Sequence, residues 1–216
     1  MARARFGTDG VRGVANDELT AELALAIGRA VRYAVRSMSE ALEESRSRRE
    51  AAAAEWEALW APIRARGVAG AEVFCHRDYH AENLVWLPGR PGIRKVGMLD
   101  FQDALRAHPA WDLSMLLHDG RRDVSPERES ASLERYLAAR PGVDRDQFLA
   151  DYRGLGALNS ARILFIFARQ VASFKRPRYA AFMPRMWRYL DRCLEAPELA
   201  PLKAWFARNV VREPQL

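Results

Sequence analysis

The hydrophobic period of the chain changes from helical to extended and back again, and this change restricts the fold class. Apolar residues recur at helical spacing around Trp56 and Trp60. From Ala71 the short apolar segments AEVFC, NLVWL and IRKVGMLD, with the turn sequence GRPG at 89–92, predict β-strands. After Asp112 the pattern is helical throughout. The sequence therefore predicts an α+β domain that is mostly helical, with a small β-hairpin near its centre.

Two features of the helical part are specific enough to test. Ser125 followed by Pro126 is typical of an N-cap and the first position of a helix. The apolar residues between 148 and 173 predict a longer helix. Glycine weakens a helix interior, and we therefore expect this longer helix to break near Gly154 and Gly156.

The excess of basic residues does not predict a nucleic-acid partner. The chain has 34 Lys and Arg residues against 28 Asp and Glu residues, which gives a formal net charge of +6. Only three of the basic residues are Lys, and the Arg residues are spread along the whole chain. Because no dense basic block alternates with aromatic residues, we interpret them as solvated side chains on helix faces.

Nothing in the sequence predicts secretion or insertion into a membrane. The first residues, MARARFGTDG, lack the apolar core of a signal peptide. The most apolar helical run, ILFIFA, lies between Arg162 and Arg169 and is too short to span a bilayer. Cys75 and Cys193 are far apart and form no disulfide framework, which fits a reducing compartment. We therefore expect a cytoplasmic protein with no membrane partner.

The segment CHRDYHAEN concentrates titratable side chains between two predicted strands. One interpretation is a metal-dependent hydrolase, because His76, Asp78 and His80 alternate and would face one side of an extended strand, where they could hold zinc. That interpretation needs further ligands, and the remaining two histidines form no compact second motif. Another interpretation is that these polar residues only fill a surface loop.

A third interpretation explains more of the sequence. His76, Arg77, Asp78 and Asn83 match the kinase catalytic-loop pattern H-R-D-x-x-x-x-N. The segment LDFQD, which contains Asp100, follows on the far side of the predicted hairpin. In such an arrangement Asp78 would orient a substrate hydroxyl, and Asn83 and Asp100 would hold Mg²⁺ through oxygen atoms. The pattern therefore indicates phosphoryl transfer.

The stretch from about Glu55 to the C-terminus resembles the C-terminal lobe of aminoglycoside phosphotransferase-like kinases. The segments HRDYHAENLVWLP, VGMLDFQDALRAHPAWDLSMLLHDGRRDVSPE and FKRPRY are similar to those of bacterial N-acetylmuramate/N-acetylglucosamine kinases. The resemblance implies a protein-kinase-like C-lobe that transfers phosphate from ATP to the anomeric hydroxyl of an amino sugar, in cell-wall recycling.

The resemblance also implies a role for individual residues. Asp78 is the catalytic base, Asn83 and Asp100 are the metal ligands, His76 and Asp112 support the catalytic loop, and His80 and Asp103 are candidates to contact the sugar.

The N-terminal part of the chain resembles a different family. Residues 5–30, RFGTDGVRGVANDELTAELALAIGRA, are similar to the extreme N-terminus of bacterial phosphoglucosamine mutases, whose catalytic loops have no counterpart downstream. We therefore expect three parts: a mutase-like segment at 1–33, a charged junction at 34–54 and a kinase C-lobe at 55–216.

The kinase resemblance lacks one expected half. The first Lys in the chain is Lys95, after the catalytic loop, so the usual position of a phosphate-pairing Lys is empty. The sequence thus predicts a truncated kinase without its nucleotide-binding N-lobe, with impaired activity and an exposed apolar cleft face. The alternative is a non-catalytic binding fragment, which could associate with itself through that face.

Overall fold

The computed structural model describes residues 5–7, 10–12, 46–70 and 72–210. Most of the predicted segments 1–33 and 34–54 therefore lies outside the described residues. Two short strands are described there: β1 (Arg5–Gly7) and β2 (Gly10–Arg12) pair antiparallel, with Arg5 opposite Arg12.

Helices make up most of the described residues, as the sequence predicts. Their bounds are α1 (Arg46–Ala69), α2 (Ala110–Leu117), α3 (Pro126–Ala138), α4 (Arg145–Ala172), α5 (Met183–Leu194) and α6 (Ala200–Asn209). Short 3-10 turns lie at Ala81–Asn83, Gly92–Lys95, Pro177–Phe182 and Pro197–Leu199.

The predicted start of α3 is confirmed. The Ser125 side chain accepts a hydrogen bond from the Arg128 backbone N–H at 3.3 Å, and Pro126 occupies the first helical turn. Proline fits there because the N–H that it lacks would have no partner inside the helix.

The predicted break in α4 is wrong, because the helix continues through both glycines. A Cβ atom on Gly154 would lie 3.2 Å from the Ile63 side chain, and one on Gly156 would lie 2.9 Å from the His118 ring. The glycines therefore allow close packing of α4 against neighbouring elements, and this packing outweighs their low helix propensity.

The core lies between α4 and the helices that surround it. A cluster of tryptophans joins α1 to α6: the rings of Trp56 and Trp60 are 5.3 Å apart, and those of Trp56 and Trp205 are 4.5 Å apart. The Trp205 indole also donates a hydrogen bond to the Ala52 carbonyl at 3.1 Å. These contacts fasten the first described helix to the last one.

Two small antiparallel sheets lie between α1 and α2 in the sequence. Strands β4 (Leu84–Trp86) and β5 (Val96–Met98) form the predicted hairpin, with Leu84 opposite Met98. Strands β3 (Val73–Cys75) and β6 (Leu105–Ala107) form the other pair. The α+β class is thereby confirmed, and the candidate catalytic loop connects β3 to the hairpin.

The hairpin keeps apolar side chains exposed. Trp86 lies opposite Val96 in the register, and 64% of its surface is exposed to solvent. Ile93 at the hairpin turn and Phe101 after β5 are 93% and 57% exposed. We call the exposed residues Trp86, Ile93, Met98 and Phe101 the hairpin face. Among the described helices, none has both the length and the apolar character that crossing a bilayer requires.

Candidate active site

The catalytic loop is held at its start by a carboxylate from α2. Asp112 accepts hydrogen bonds from the backbone N–H groups of His76 at 2.6 Å and Arg77 at 3.1 Å. Burial raises the pKa of Asp112, although the two N–H groups oppose that rise. Arg77 has a φ of 73°, a left-handed conformation that is uncommon for a residue other than glycine. Asp112 therefore holds the chain in a strained turn just before Asp78.

His76 connects this loop to the segment that follows the hairpin. Its side chain is buried, and its Nε2 atom lies 2.7 Å from the Leu99 carbonyl oxygen. The backbone N–H of Leu99 donates in turn to the Asn83 carbonyl at 2.8 Å. Both ends of the hairpin are therefore fastened to the catalytic loop, one residue away from Asp100.

Asp78, Asn83 and His80 form a contiguous polar cluster. The Asn83 side-chain amide donates to the Asp78 carbonyl at 2.9 Å and lies 3.4 Å from both the Asp78 carboxylate and the His80 ring. The buried His80 Nε2 lies 3.3 Å from Asp78 Oδ2. The structure thus brings three of the predicted site residues into direct contact.

The environment of Asp78 favours its ionised form. Burial acts to raise the pKa of Asp78, but the hydrogen bond and charge of His80 act in the opposite direction. The charges of Arg162 and Arg121 add to this effect, and the pKa of Asp78 lies below its ordinary value. The carboxylate is therefore charged at neutral pH and can accept a hydrogen bond from a hydroxyl group.

Asp100 and Asp103 are more exposed than the cluster around Asp78. Asp100 has a φ of 60°, and its Oδ1 accepts a hydrogen bond from the Gln102 side chain at 2.5 Å. Asp103 accepts through its main-chain carbonyl from the Arg77 guanidinium at 3.3 Å. The roles predicted for these two side chains, and for the other site residues, remain predictions.

Two further oxygen atoms at the site fit the metal that the kinase resemblance implies. Because the Asn83 amide nitrogen is directed at the Asp78 carbonyl, its side-chain oxygen points away from that carbonyl. Asp100 contributes an exposed carboxylate. Amide and carboxylate oxygens are the hard ligands that Mg²⁺ prefers. The donor set is thus chemically suitable for magnesium.

The geometry does not support the zinc-hydrolase interpretation. Strand β3 ends at Cys75, and the left-handed turn at Arg77 interrupts the extended conformation on which that interpretation depends. As a result His76 is directed at a carbonyl group, whereas His80 is directed at Asp78. In the part of the chain that the structure describes, no three His, Cys, Asp or Glu side chains are grouped as metal ligands.

Three residues near the loop were not found by sequence reasoning. Asp119 is buried after α2, and its carboxylate accepts from the backbone N–H of Ala81 at 3.3 Å and of Arg121 at 2.9 Å. Arg121 also forms an ion pair with Glu82 at 2.8 Å. The third residue, Arg162, lies on α4. No local pattern marks these residues, because each reaches the loop only through the folding of distant helices.

Comparison with known proteins identifies the family of the chain. A family model described as "Phosphotransferase enzyme family" matches residues 14–149, which is more than half of the chain. An N-acetylmuramate/N-acetylglucosamine kinase of Caulobacter vibrioides is 71% identical over 160 residues, which cover 74% of this chain and 44% of that protein. A protein of the same name from Pseudomonas aeruginosa is 34% identical over 137 residues, covering 60% and 39%.

The N-terminal resemblance is also confirmed. A phosphoglucosamine mutase of Anaeromyxobacter dehalogenans is 68% identical over 38 residues, which cover 17% of this chain and 8% of the mutase. The chain spans less than half the length of the kinases that it matches. The family model nevertheless covers the catalytic loop, the hairpin and α2 together. The chain therefore belongs to the phosphotransferase enzyme family.

Proposed function

We propose that the chain is the catalytic part of an ATP-dependent amino-sugar kinase that phosphorylates N-acetylmuramate or N-acetylglucosamine at the anomeric hydroxyl. The observation that carries the proposal is the contact of Asp78 with Asn83, whose main chain is bonded to the segment that ends at Asp100. The names of the two similar kinases support the substrate class. The reaction belongs to cell-wall sugar recycling in the cytoplasm.

In this mechanism Asp78 orients the acceptor. Its ionised carboxylate accepts a hydrogen bond from the anomeric hydroxyl, whose oxygen forms a bond to the γ-phosphorus of ATP. The bond between that phosphorus and the β–γ bridging oxygen breaks, ADP leaves, and the hydroxyl proton passes to Asp78. Because the pKa of Asp78 is low, its main contribution is orientation of the hydroxyl before transfer.

Asn83 and Asp100 are the residues that would hold magnesium. When bound, Mg²⁺ supplies positive charge that offsets the charge on the transferring phosphoryl group. Asp100 itself and Arg77, the residue before Asp78, adopt left-handed backbone conformations. Strain of this kind persists where surrounding contacts determine the position of a functional group, here through Asp112 and Leu99.

The proposal assigns residues 55–216 to a kinase C-lobe, preceded by the mutase-like segment 1–33 and the junction 34–54. Since Lys95 is the first Lys in the chain, no Lys precedes the catalytic loop to pair with the phosphates of ATP. We therefore expect turnover by this chain to be well below that of the full-length kinases it resembles.

The test is an ADP-release assay with each sugar, supported by ³¹P NMR to identify an anomeric phosphate. We expect measurable turnover that depends on Mg²⁺ and that Asp78→Asn lowers at least about 100-fold. The control is Asp123→Asn, which changes the same charge at a side chain that is 70% exposed and pairs with Arg188. Absence of turnover in the wild-type chain, or its persistence in Asp78→Asn, would contradict the proposal.

The exposed hairpin face favours a second candidate function, in which the chain binds a second copy of itself without catalysis. Exposed aromatic and aliphatic residues such as Trp86 and Ile93 are typical of surfaces that become covered in an assembly. Light scattering over a range of concentrations distinguishes the candidates. A dimer that Trp86→Ser disrupts would support self-association, and a monomer at every concentration would rule it out.

A further inference from the structure

Arg162 is held in one orientation by its neighbours on the helices. Its Nε and Nη2 groups donate hydrogen bonds to the Asn159 side-chain oxygen at 3.2 and 2.9 Å. Its guanidinium carbon lies 5.7 Å from the centre of the Trp111 ring, within cation–π range. Asn159 itself is fully buried. One edge of the guanidinium is thus fixed before any ligand arrives.

The other edge of Arg162 is available. The hydrogen bonds of Arg162 to the described residues come from its Nε and Nη2 groups, and Nη1 is not one of the fully buried side-chain nitrogens that lack a partner. Arg162 is half-buried, and Asp78 is the carboxylate whose charge acts on it, although no direct ion pair joins the two among the described residues. Burial lowers the pKa of Arg162 to about 10, so the group still carries its charge at neutral pH. The charge of Asp78 stabilises the charged guanidinium without a direct ion pair, and an anion on a ligand that contacts the guanidinium would add to this stabilisation.

The guanidinium of Arg162 lies against the helix that supports the catalytic loop. Trp111, on which the guanidinium rests, immediately precedes Asp112, whose carboxylate holds the backbone of His76 and Arg77. The charge of Arg162 also contributes to the low pKa of Asp78. Arg162 approaches the loop from the helices, whereas the proposed metal ligands approach it from the hairpin. Arg162, on the helical side, can therefore contact the acceptor, while a metal held from the hairpin side would contact the phosphates.

We propose that Arg162 binds a carboxylate group on the acceptor sugar and so gives the site a preference for acidic amino sugars. This inference rests on the proposed kinase function and specifies its substrate class. N-acetylmuramate carries a lactyl carboxylate, and N-acetylglucosamine does not. The planar guanidinium edge matches a carboxylate in shape and charge better than an ammonium group does.

The experiment measures sugar binding to the full chain by calorimetry in the absence of nucleotide. We expect wild type to bind N-acetylmuramate at least about 10-fold more tightly than N-acetylglucosamine, which corresponds to one charge-assisted hydrogen bond. Arg162→Gln should remove this preference and leave binding of N-acetylglucosamine within about twofold. Arg162→Lys should retain part of the preference, because it keeps the charge without the planar edge.

Arg64→Gln is the matched control, since Arg64 is a half-buried Arg whose charge is paired with Glu57 at 3.1 Å. It should leave the binding of both sugars unchanged. Thermal melting establishes that each variant is folded, and if Arg162→Gln is not, the comparison rests on Arg162→Lys.

Three results would overturn the inference. These are equal weakening of the binding of both sugars by Arg162→Gln, a wild type with no preference for the acid, and weaker ATP binding, measured in a separate titration, with unchanged sugar binding. The last result would mean that Arg162 binds phosphate. Because binding is measured without ATP, failure of phosphoryl transfer does not affect this readout. Conversely, turnover of N-acetylglucosamine in Arg162→Gln would retain the kinase proposal even if the inference failed.

Discussion

The side-chain amide of Asn83 donates a hydrogen bond to the main-chain carbonyl of Asp78 at 2.9 Å, closing the five-residue interval between these two residues. The same bond directs the amide oxygen of Asn83 away from Asp78. One residue therefore stabilises the shape of the loop and presents an oxygen atom on its other side. Four predictions follow from this arrangement and from the packing that supports it, and the first concerns this bond.

Asn83→Asp should disrupt the loop although it keeps an oxygen ligand. The new carboxylate cannot donate to the Asp78 carbonyl, and it would place a negative charge beside the Asp78 carboxylate, which lies 3.4 Å from the present amide nitrogen. We expect turnover to fall at least about 100-fold and the pKa of Asp78 to rise. A pH profile of ADP release measures both effects.

Asn209→Asp is the matched control for that substitution. The Asn209 side chain also donates to a main-chain carbonyl at 2.9 Å, that of Trp205 in α6. It should lower thermal stability slightly and leave turnover unchanged. Equal loss of turnover in both variants would indicate a general loss of folding and would contradict the role assigned to Asn83.

Asp119→Asn should loosen the 3-10 turn that carries Asn83. The buried Asp119 carboxylate accepts the N–H of Ala81, the first residue of that turn, and weakening this charge-assisted bond exposes the N–H to solvent. We expect amide exchange of residues 80–83 to accelerate about 10-fold and Mn²⁺ binding to weaken. Hydrogen exchange with mass spectrometry and electron paramagnetic resonance measure these changes.

The control for Asp119→Asn is Asp123→Asn, six residues from α2 on the same connection and exposed at its surface. Its amide exchange and Mn²⁺ binding should equal those of wild type. Unchanged exchange of residues 80–83 in Asp119→Asn would show that this carboxylate does not position the loop.

Glu129 should make the protein less stable as the pH falls into the acid range. Burial acts to raise the pKa of Glu129, but hydrogen bonds from the surrounding His118, Tyr152 and Arg192 outweigh it and lower the pKa to about 2. The pKa of Glu129 in the folded protein lies below the ordinary value of 4.5. The contribution of Glu129 to the free energy of unfolding is therefore fully present above about pH 4.5 and is lost as the pH falls toward 2.

The lowered pKa of Glu129 corresponds to about 3 kcal/mol of the free energy of unfolding at neutral pH. Glu129→Gln should remove most of this stabilisation. Urea unfolding at pH 7 and pH 4 measures the free energy of unfolding, and the loss for the variant should be smaller at pH 4. Glu134→Gln is the control, since Glu134 lies on the same helix in an exposed ion pair with Arg145. The same loss at both pH values would refute the assignment.

Gly156→Ala should destabilise the protein although alanine favours a helix. The added methyl group would lie 2.9 Å from the His118 ring and 3.3 Å from the Cys193 sulfur. We expect a net loss of about 1–3 kcal/mol from overpacking, measured by urea unfolding. At Gly142 a Cβ atom would meet nothing within 4 Å, so Gly142→Ala should change stability little. A more stable Gly156→Ala variant would show that this site can accept a side chain.

The sequence by itself was sufficient for features that depend on neighbouring residues. The alternating apolar segments and the GRPG turn predicted the hairpin, and Ser125-Pro126 predicted the start of α3. The spacing of His76, Asp78 and Asn83 predicted a catalytic loop between β3 and the hairpin, where the structure has a loop, and the roles of these residues stay predictions. These features depend on side-chain period, on capping and on contacts within five residues, all of which can be read directly from the order of residues.

Only the tertiary structure decided which distant residues support that loop. Strand β6 was not predicted, because three residues are too few for a periodic signal and it pairs with β3 across 30 positions or more. The support by Asp119 and the orientation of Arg162 depend on how α2 and α4 pack. The sequence predicted a helix break at Gly156, but in the structure this glycine allows α4 to pack closely against His118 and Cys193. Local periodicity does not determine which distant residues come into contact. The close packing of the folded core determines these contacts.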